Sequence, residues 1–310
     1  MGEGGEGGRE EGCRLRDERP GRSRRAMART IMVGNTPFRA IERGEGPPHV
    51  LPHVLPLVLL HGATQDASVW ARQIVRFSHS RRTLAFDARG HGRTPLGHAI
   101  ESGGTLSMDG MVDDCLAVMD AAGIERAVLC GVSMGGMIAL HAAARAPHRV
   151  EALVLANTPL ALSLSPRLLT FIDWLNPYAV LPPLLKRIDG ARLARWGLKL
   201  AGAALGPGWA QRRTSHRFER AFATMSPRAL TETYRAICEA RLPDLAAVHC
   251  PVLVVTGTNE ADVIFRHAAE IARRVGVAEL RTVPGGHVTN LDSPDEFNAA
   301  LEAFFARWNV

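Results

Sequence analysis

Cys130-Gly131-Val132-Ser133-Met134-Gly135-Gly136 is the stretch on which the fold turns. The short apolar run Ala127-Val128-Leu129-Cys130 leads into it, and an apolar helical pattern follows from Met137 to Ala146, ended by Pro147. The order is strand, sharp turn, helix, with Gly-x-Ser-x-Gly at the turn. Such a turn sets a serine on a strained elbow, its hydroxyl exposed at the carboxyl edge of a sheet. The glycines answer a spatial need, because a residue two positions either side of the serine approaches neighbouring backbone where a Cβ would collide. The helix behind begins with free N–H groups and the positive end of its dipole, which suits a developing oxyanion. Ser133 is therefore the candidate nucleophile, with a buried structural serine as the alternative.

On either side of the elbow, strand and helix patterns alternate. Thr30 to Val33 and Phe38 to Ile41 read as two short strands joined at Gly34-Asn35. Leu57-Val58-Leu59-Leu60 and Thr83 to Phe86 are unbroken apolar runs of the fully buried kind. A helix is expected near Val69 to Phe77. Another is expected through Met108, Met111, Val112, Cys115, Leu116 and Met119, stopped by Gly123. Val150 to Ala156 and Val252 to Gly257 are further buried strands, and a helix after the second carries Ile264, Ala268, Ile271 and Val275. A short strand near Leu280 to Val283 leads into Gly285-Gly286-His287. The last helix shows a capping box, Ser293 to Glu296, with Pro294 at its first position and Phe297, Leu301, Phe304, Phe305 and Trp308 on its buried face.

This alternation implies an α/β fold, a doubly wound and mostly parallel sheet. Residues 29–158 and 249–310 form the expected core. Residues 159–248 break the alternation and read as several helices with prolines at Pro166, Pro177, Pro182-Pro183 and Pro207. They are expected to be an inserted helical cap over the carboxyl edge, where such sheets bind ligands. Residues 1–28 are Gly, Glu and Arg with almost no apolar content and read as a disordered leader, for which Met27 or Met32 could be the working initiator. Arg24-Arg25 lacks an adequate apolar run after it, which argues against export.

The 310 residues are 46% apolar, ample for one core plus an inserted subdomain. The net charge of +6 comes mainly from arginines spread along the chain, with no basic block alternating with aromatics, which argues against nucleic-acid binding. Five cysteines without close pairing suggest reduced thiols in a cytoplasmic protein, and no apolar run approaches the roughly 18 residues needed to span a bilayer. His49 and His53 stand in a Pro/His stretch that forbids the helix on which four-residue spacing would make a metal site.

A serine hydroxyl needs a base within hydrogen-bond reach, and the base needs an orienting partner. For a serine elbow the chain order is Ser, acid, His. His287, after two glycines at the end of a strand, is the candidate base. The acid belongs on the loop Gly257-Thr258-Asn259-Glu260-Ala261-Asp262, where Glu260 is favoured and Asp262 is the alternative. Such a carboxylate holds the imidazole in the right tautomer and stabilises the imidazolium. The oxyanion donors expected are the backbone N–H of Met134 and, from the loop after residues 57–60, that of Ala63. Losing one such donor typically costs about 3–4 kcal/mol. His61, Asp87, His91 and His141 are read as structural.

Leu60-His61-Gly62, Asp87-x-Arg-Gly-His-Gly92, Gly131-x-Ser-x-Gly-Gly136, Pro251 through Gly257, and Gly286-His287 with Asp292-x-Pro294 occur in one order. Together they resemble the α/β-hydrolase superfamily over about residues 30–158 and 249–310. Cys130 to Met137 and the turn at Asp87 look like its enol-lactonase and small-ester esterase branch. The resemblance implies Ser133 as nucleophile, His287 as base and, three residues after Gly257, Glu260 as acid. The family's usual residue there is Asp, so this chain departs from the pattern. The stretch 159–248 matches nothing within the branch.

The activity expected is serine hydrolysis of a carboxylic ester or lactone of a small or medium apolar substrate through an acyl-enzyme, without metal or organic cofactor. Alternatives are a C–C bond hydrolase or cofactor-free perhydrolase using the same triad, and a non-catalytic ligand receptor. C–C hydrolases of the superfamily usually resemble Gly-Asn-Ser-Met-Gly-Gly at the elbow, and Val132 stands where that Asn would be. The arginines at Arg192, Arg195, Arg212, Arg213 and Arg217 could favour a substrate carboxylate, though such residues more often solvate helix faces. The partners expected are the small-molecule substrate, no nucleic acid and no membrane, with a homodimer left open.

Overall fold

The computed structural model describes residues 27–44, 54–161, 192, 196, 199, 209 and 212–310. The leader up to residue 26, the Pro/His repeat with His49 and His53, Arg195 and the five prolines named from Pro166 to Pro207 lie outside the described residues.

Eight strands form one sheet: β1 (Met27–Val33), β2 (Thr36–Arg43), β3 (Leu57–Leu60), β4 (Thr83–Phe86), β5 (Ala127–Val132), β6 (Val150–Ala156), β7 (Val252–Gly257) and β8 (Ala278–Val283). Their order across the sheet is β1-β2-β4-β3-β5-β6-β7-β8. β1 and β2 form a hairpin and β2 pairs antiparallel with β4, while every pairing from β4 to β8 is parallel. The expected doubly wound, mostly parallel sheet is therefore present. Gly34 makes the hairpin turn at φ +54°, a conformation glycine adopts without strain. β1 begins at Met27, so the first strand reaches back past the expected core boundary at residue 29.

The central strands are buried on both faces, which is why they read as unbroken apolar runs. In β3, Val58 and Leu60 pack into one core with Val112, Cys115, Ile138 and Ile271. Leu57 and Leu59 face the opposite core with Trp70, Phe77, Phe297 and Phe304. The first core is covered by α3 (Met108–Ala121), α4 (Met134–Arg145) and a later helix, α7 (Asp262–Arg274). The second is covered by α1 (Ala71–Phe77) and α9 (Pro294–Trp308). Between these lie the short α2 (His98–Glu101) and α8 (Thr289–Asp292).

Within the expected insertion, the described residues contain α5 (Arg212–Thr224) and α6 (Pro227–Cys238). Ser226 caps α6 by accepting the N–H of Ala229. The expected capping box at Ser293 is not formed: its side chain makes no cap hydrogen bond to α9. The physical reason is that α8 runs straight into α9. Ser293 closes the first helix by donating its N–H to the carbonyl of Thr289, at φ −137° and ψ 69°. No helix among the described residues is long and apolar enough to cross a membrane.

The chain passes from β3 outward to β4 and then returns to β5 on the other side of β3. Loops leaving β3 and β5 therefore diverge, opening a crevice at their carboxyl ends, where ligands bind in open α/β sheets.

Candidate active site

Ser133 stands at that crevice, between β5 and α4, at φ +54° and ψ −117°. This is a region non-glycine residues rarely occupy, costing on the order of 1–3 kcal/mol. The neighbouring packing explains how it is held. A Cβ on Gly131 would collide with the backbone of Gly135 and Gly136, and one on Gly135 with the backbone of Leu60 and His61. Strand, elbow and helix can approach this closely only with glycine at both positions.

His287 lies on the loop after β8. Its Nε2 is 3.0 Å from Ser133 Oγ and its Nδ1 is 2.6 Å from Glu260 Oε2. The carboxylate can only accept, so Nδ1 carries the hydrogen and Nε2 is left to accept from the serine hydroxyl. The Glu260 side chain is fully buried, and its second oxygen, Oε1, accepts the N–H of Ala261 at 2.8 Å. Glu carries one methylene more than Asp and still reaches the ring. Asp262 is not part of this chain of bonds. It begins α7, exposed to solvent, where an acidic side chain suits the helix N-terminus.

The loop after β3 borders the serine: a Cβ on Gly62 would stand 3.4 Å from the Cβ of Ser133. Ala63 follows it, and Met134, as the first residue of α4, has an N–H with no acceptor inside the helix. His61 shapes this loop. Its Nδ1 donates to the Gly62 carbonyl (2.7 Å) and its Nε2 accepts the N–H of Ala88 (2.8 Å). Gln65 adds a bond from its Oε1 to the Gly62 N–H at 3.0 Å. Thr64 holds φ +55°, with its hydroxyl donating to the Ala63 carbonyl.

Asp87 and His91 do not bond each other. Asp87 accepts the N–H groups of Ala67 and Arg93, while His91 Nδ1 donates to the Arg89 carbonyl. His141 is half-buried in α4 and burial pushes its imidazole down. Arg217 of α5 places Nη1 3.4 Å from Ser68 Oγ.

Three residues hold the loops that carry Glu260 and His287; the sequence reading gave Asn157 and Trp209 no role and quoted Asp292 only within the motif Asp292-x-Pro294. Asn157, fully buried at the end of β6, accepts the Gly257 N–H (2.9 Å) and donates to the His287 carbonyl (2.9 Å). Asp292 accepts the Gly286 N–H at 2.9 Å and the Thr214 hydroxyl at 2.5 Å. Burial pushes the Asp292 carboxyl up, opposed by those bonds and by His287. Trp209 accepts the His287 N–H on its carbonyl (2.8 Å) and stacks its ring on the imidazole, centroids 4.9 Å apart. Asp292 could have been found in the Asp-x-Pro signal; Asn157 had only its place at a strand end.

The model of the alpha/beta hydrolase family matches residues 57–300. The chain belongs to this family and is a hydrolase of that fold. It is 25% identical over 260 residues to 3-oxoadipate enol-lactonase 2 of Acinetobacter baylyi, covering 82% of this chain and 89% of that one. It is 30% identical over 266 residues to the pimeloyl-[acyl-carrier protein] methyl ester esterase of Stenotrophomonas maltophilia, covering 81% and 92%. Among solved structures, the enol-lactonase from Burkholderia xenovorans LB400 superposes with a TM-score of 0.71 at 26% identity, covering 89% of this chain and 99% of that one.

Proposed function

We propose that the protein is a serine hydrolase that cleaves a carboxylic ester or lactone of a small or medium apolar substrate through an acyl-enzyme. The observation that carries this reading is the continuous line of bonds from Glu260 through both ring nitrogens of His287 to Ser133. The enol-lactonase and methyl ester esterase among its relatives support the substrate class.

Ser133 Oγ attacks the carbonyl carbon as its proton passes to His287 Nε2. The carbonyl oxygen becomes an oxyanion facing the N–H groups of Ala63 and Met134, which are fixed in place before charge develops. Glu260 steadies the imidazolium through Nδ1. Collapse expels the alkoxide, or opens the lactone ring, with the proton returned from Nε2. Water then attacks the acyl-enzyme as it gives a proton to Nε2, and collapse breaks the bond to Ser133 Oγ, which takes that proton back as the acid leaves. Every proton and electron pair is accounted for by these groups, so the reading calls for no metal or organic cofactor.

In this reading residues 29–158 and 249–310, extended back to Met27 by β1, are the hydrolase core, and 159–248 are an inserted cap. The partner is the small-molecule substrate alone, with neither nucleic acid nor membrane, and the enzyme works in the cytoplasm. Its assembly, monomer or homodimer, is a matter for sedimentation.

The test is hydrolysis of p-nitrophenyl esters across acyl lengths, and of enol-lactones, by wild type and Ser133→Ala, with fluorophosphonate labelling alongside. Activity and labelling lost together in Ser133→Ala is the expected result. Activity retained in Ser133→Ala overturns the nucleophile. Labelling without turnover of any ester or lactone points to a ligand receptor or a C–C hydrolase.

A further inference from the structure

The imidazole of His287 has two edges and two faces. Glu260 and Ser133 take the edges, through Nδ1 and Nε2. These two bonds leave the ring free to tilt about the line joining them. One face is covered by the indole of Trp209, with centroids 4.9 Å apart and planes 25° from parallel. The same residue accepts the backbone N–H of His287 at 2.8 Å, so it grips both main chain and ring. A second strap lies close by. Thr214 of α5 donates to Asp292 Oδ1, and Asp292 Oδ2 accepts the N–H of Gly286, next to His287. Trp209 and Thr214, both from the stretch between β6 and β7, thus hold the loop that carries His287.

Resting on the serine-hydrolase reading, we propose that Trp209 is a positioning residue for His287: its indole face sets the tilt of the imidazole toward Ser133 Oγ and stabilises the imidazolium. A cation over an indole face is attracted by the ring quadrupole, most strongly where water is excluded. The imidazole carries that cation only after it has taken the serine proton. The contact is therefore stronger in the transition state than in the resting enzyme, which is the condition for raising kcat rather than lowering KM. Among the described residues, the charged groups facing His287 are Glu260 from the loop after β7 and Asp292 from α8. Both remain when Trp209 is replaced, so the indole's share is separable from theirs.

The experiment compares wild type, Trp209→Leu and Trp209→Phe on p-nitrophenyl acetate, with kcat, KM and the pH profile of kcat/KM. The expected result for Trp209→Leu is a fall in kcat of about tenfold, with KM within about twofold. The acid limb of kcat/KM moves to lower pH, because the protonated ring has lost a stabilising neighbour. Trp209→Phe keeps an aromatic face and recovers most of both effects. A role confined to packing would not move the acid limb. A second measurement needs no active variant: tryptophan emission of wild type minus that of Trp209→Phe should fall with pH as the imidazolium forms. That change should vanish in His287→Gln.

Trp209→Leu kinetics that superpose on wild type, Trp209→Phe as impaired as Trp209→Leu at an unchanged Tm, or an emission difference that does not titrate would each overturn the proposal. Fluorophosphonate labelling of Ser133 is followed throughout. Wild type that is not labelled sinks the serine mechanism itself, whereas labelled enzyme with unchanged Trp209→Leu kinetics sinks only the role of Trp209.

Discussion

Asn157 donates from Nδ2 to the carbonyl oxygen of His287 at 2.9 Å, across 130 residues of chain. The same amide donates to the Gly286 carbonyl at 3.2 Å and, through Oδ1, accepts the N–H of Gly257 at 2.9 Å. One buried side chain thereby ties the end of β6 to the loop that carries Glu260 and to the loop that carries His287. Its backbone sits at φ +46°, which Asn tolerates better than most residues.

Replacing Asn157 by Ala should leave the Gly257 N–H and the loop carbonyls without partners, each buried unsatisfied group costing about 1–3 kcal/mol. The expected result is a loss of at least about 2 kcal/mol in urea unfolding and a fall in kcat of about tenfold or more. An Asn157→Ala variant with wild-type kcat would show that the two loops hold their places without this bridge.

The two oxygens of Glu260 accept from different donors, His287 Nδ1 and the Ala261 N–H. A carboxamide cannot do both. In Glu260→Gln, an NH2 group must face one of those donors, and if it faces the ring it drives the wrong tautomer. The expected fall in kcat is about 10³–10⁴-fold, the scale of losing a carboxylate behind a catalytic imidazole. Asp262→Asn changes an exposed charge at the start of α7 and should leave kcat within about twofold. Steady-state hydrolysis of p-nitrophenyl acetate by the two variants measures this; equal losses would mean that the acid has been misassigned.

The elements most visible in the sequence were those whose signal is local. Leu57–Leu60, Thr83–Phe86 and Val150–Ala156 form strands at their expected ends because an unbroken apolar run has no other stable place than between two helical layers. α4 starts at Met134 rather than Met137, since Gly135 and Gly136 hide the first turn from a hydrophobic pattern. Ser133, Glu260 and His287 stood out through the glycines around them and their order along the chain, and the structure sets them within hydrogen-bond reach of one another. Asn157 and Trp209 did not stand out, and Asp292 did so only as part of the motif Asp292-x-Pro294. Each acts through partners at sequence distances that no periodicity encodes, apart from the bond between Asp292 and the nearby Gly286. The capping box failed for a related reason: the four residues before Ser293 form a helix of their own.

His91 should make the fold sensitive to mild acid. Its ring is buried, neutral and bonded through Nδ1 to the Arg89 carbonyl at 3.0 Å. Burial, with a smaller push from His61, lowers its pKa from 6.5 to about 3. The unfolded chain takes up a proton near 6.5 that the folded protein refuses, so stability is complete above that pH and is lost as pH falls toward about 3. One such proton is worth up to about 1.4 kcal/mol per pH unit. Between pH 7 and 5, wild type should lose about 2 kcal/mol more than His91→Asn, which keeps a donor near Nδ1. Parallel urea titrations at the two pH values test this. Identical losses in the two proteins would mean that His91 gains its proton in the folded state.

Arg89 and Asp114 lock the turn after β4 onto α3. The guanidinium donates through Nε to Oδ2 at 2.8 Å and through Nη2 to Oδ1 at 2.5 Å, with side chains only 17% and 12% exposed. A third nitrogen, Nη1, donates to Thr36 Oγ1 at 3.0 Å. Burial pushes the Asp114 carboxyl up, and Arg89 opposes it, so desolvation and attraction are in direct competition here. Taking two charges out of water costs nearly what their attraction returns, while stranding one of them is far worse. Asp114→Ala should therefore destabilise the protein by about 3–5 kcal/mol, and the double change Arg89→Met with Asp114→Leu by about 1 kcal/mol or less. Kinetics sharpen the comparison. The Ala88 N–H, beside Arg89, is what His61 Nε2 accepts, and His61 in turn bonds the Gly62 carbonyl next to Ala63. If the ion pair serves only to hold this turn, the apolar double variant keeps kcat within about threefold of wild type on p-nitrophenyl acetate. A double variant that is stable but slow would mean that the charges themselves reach the oxyanion loop.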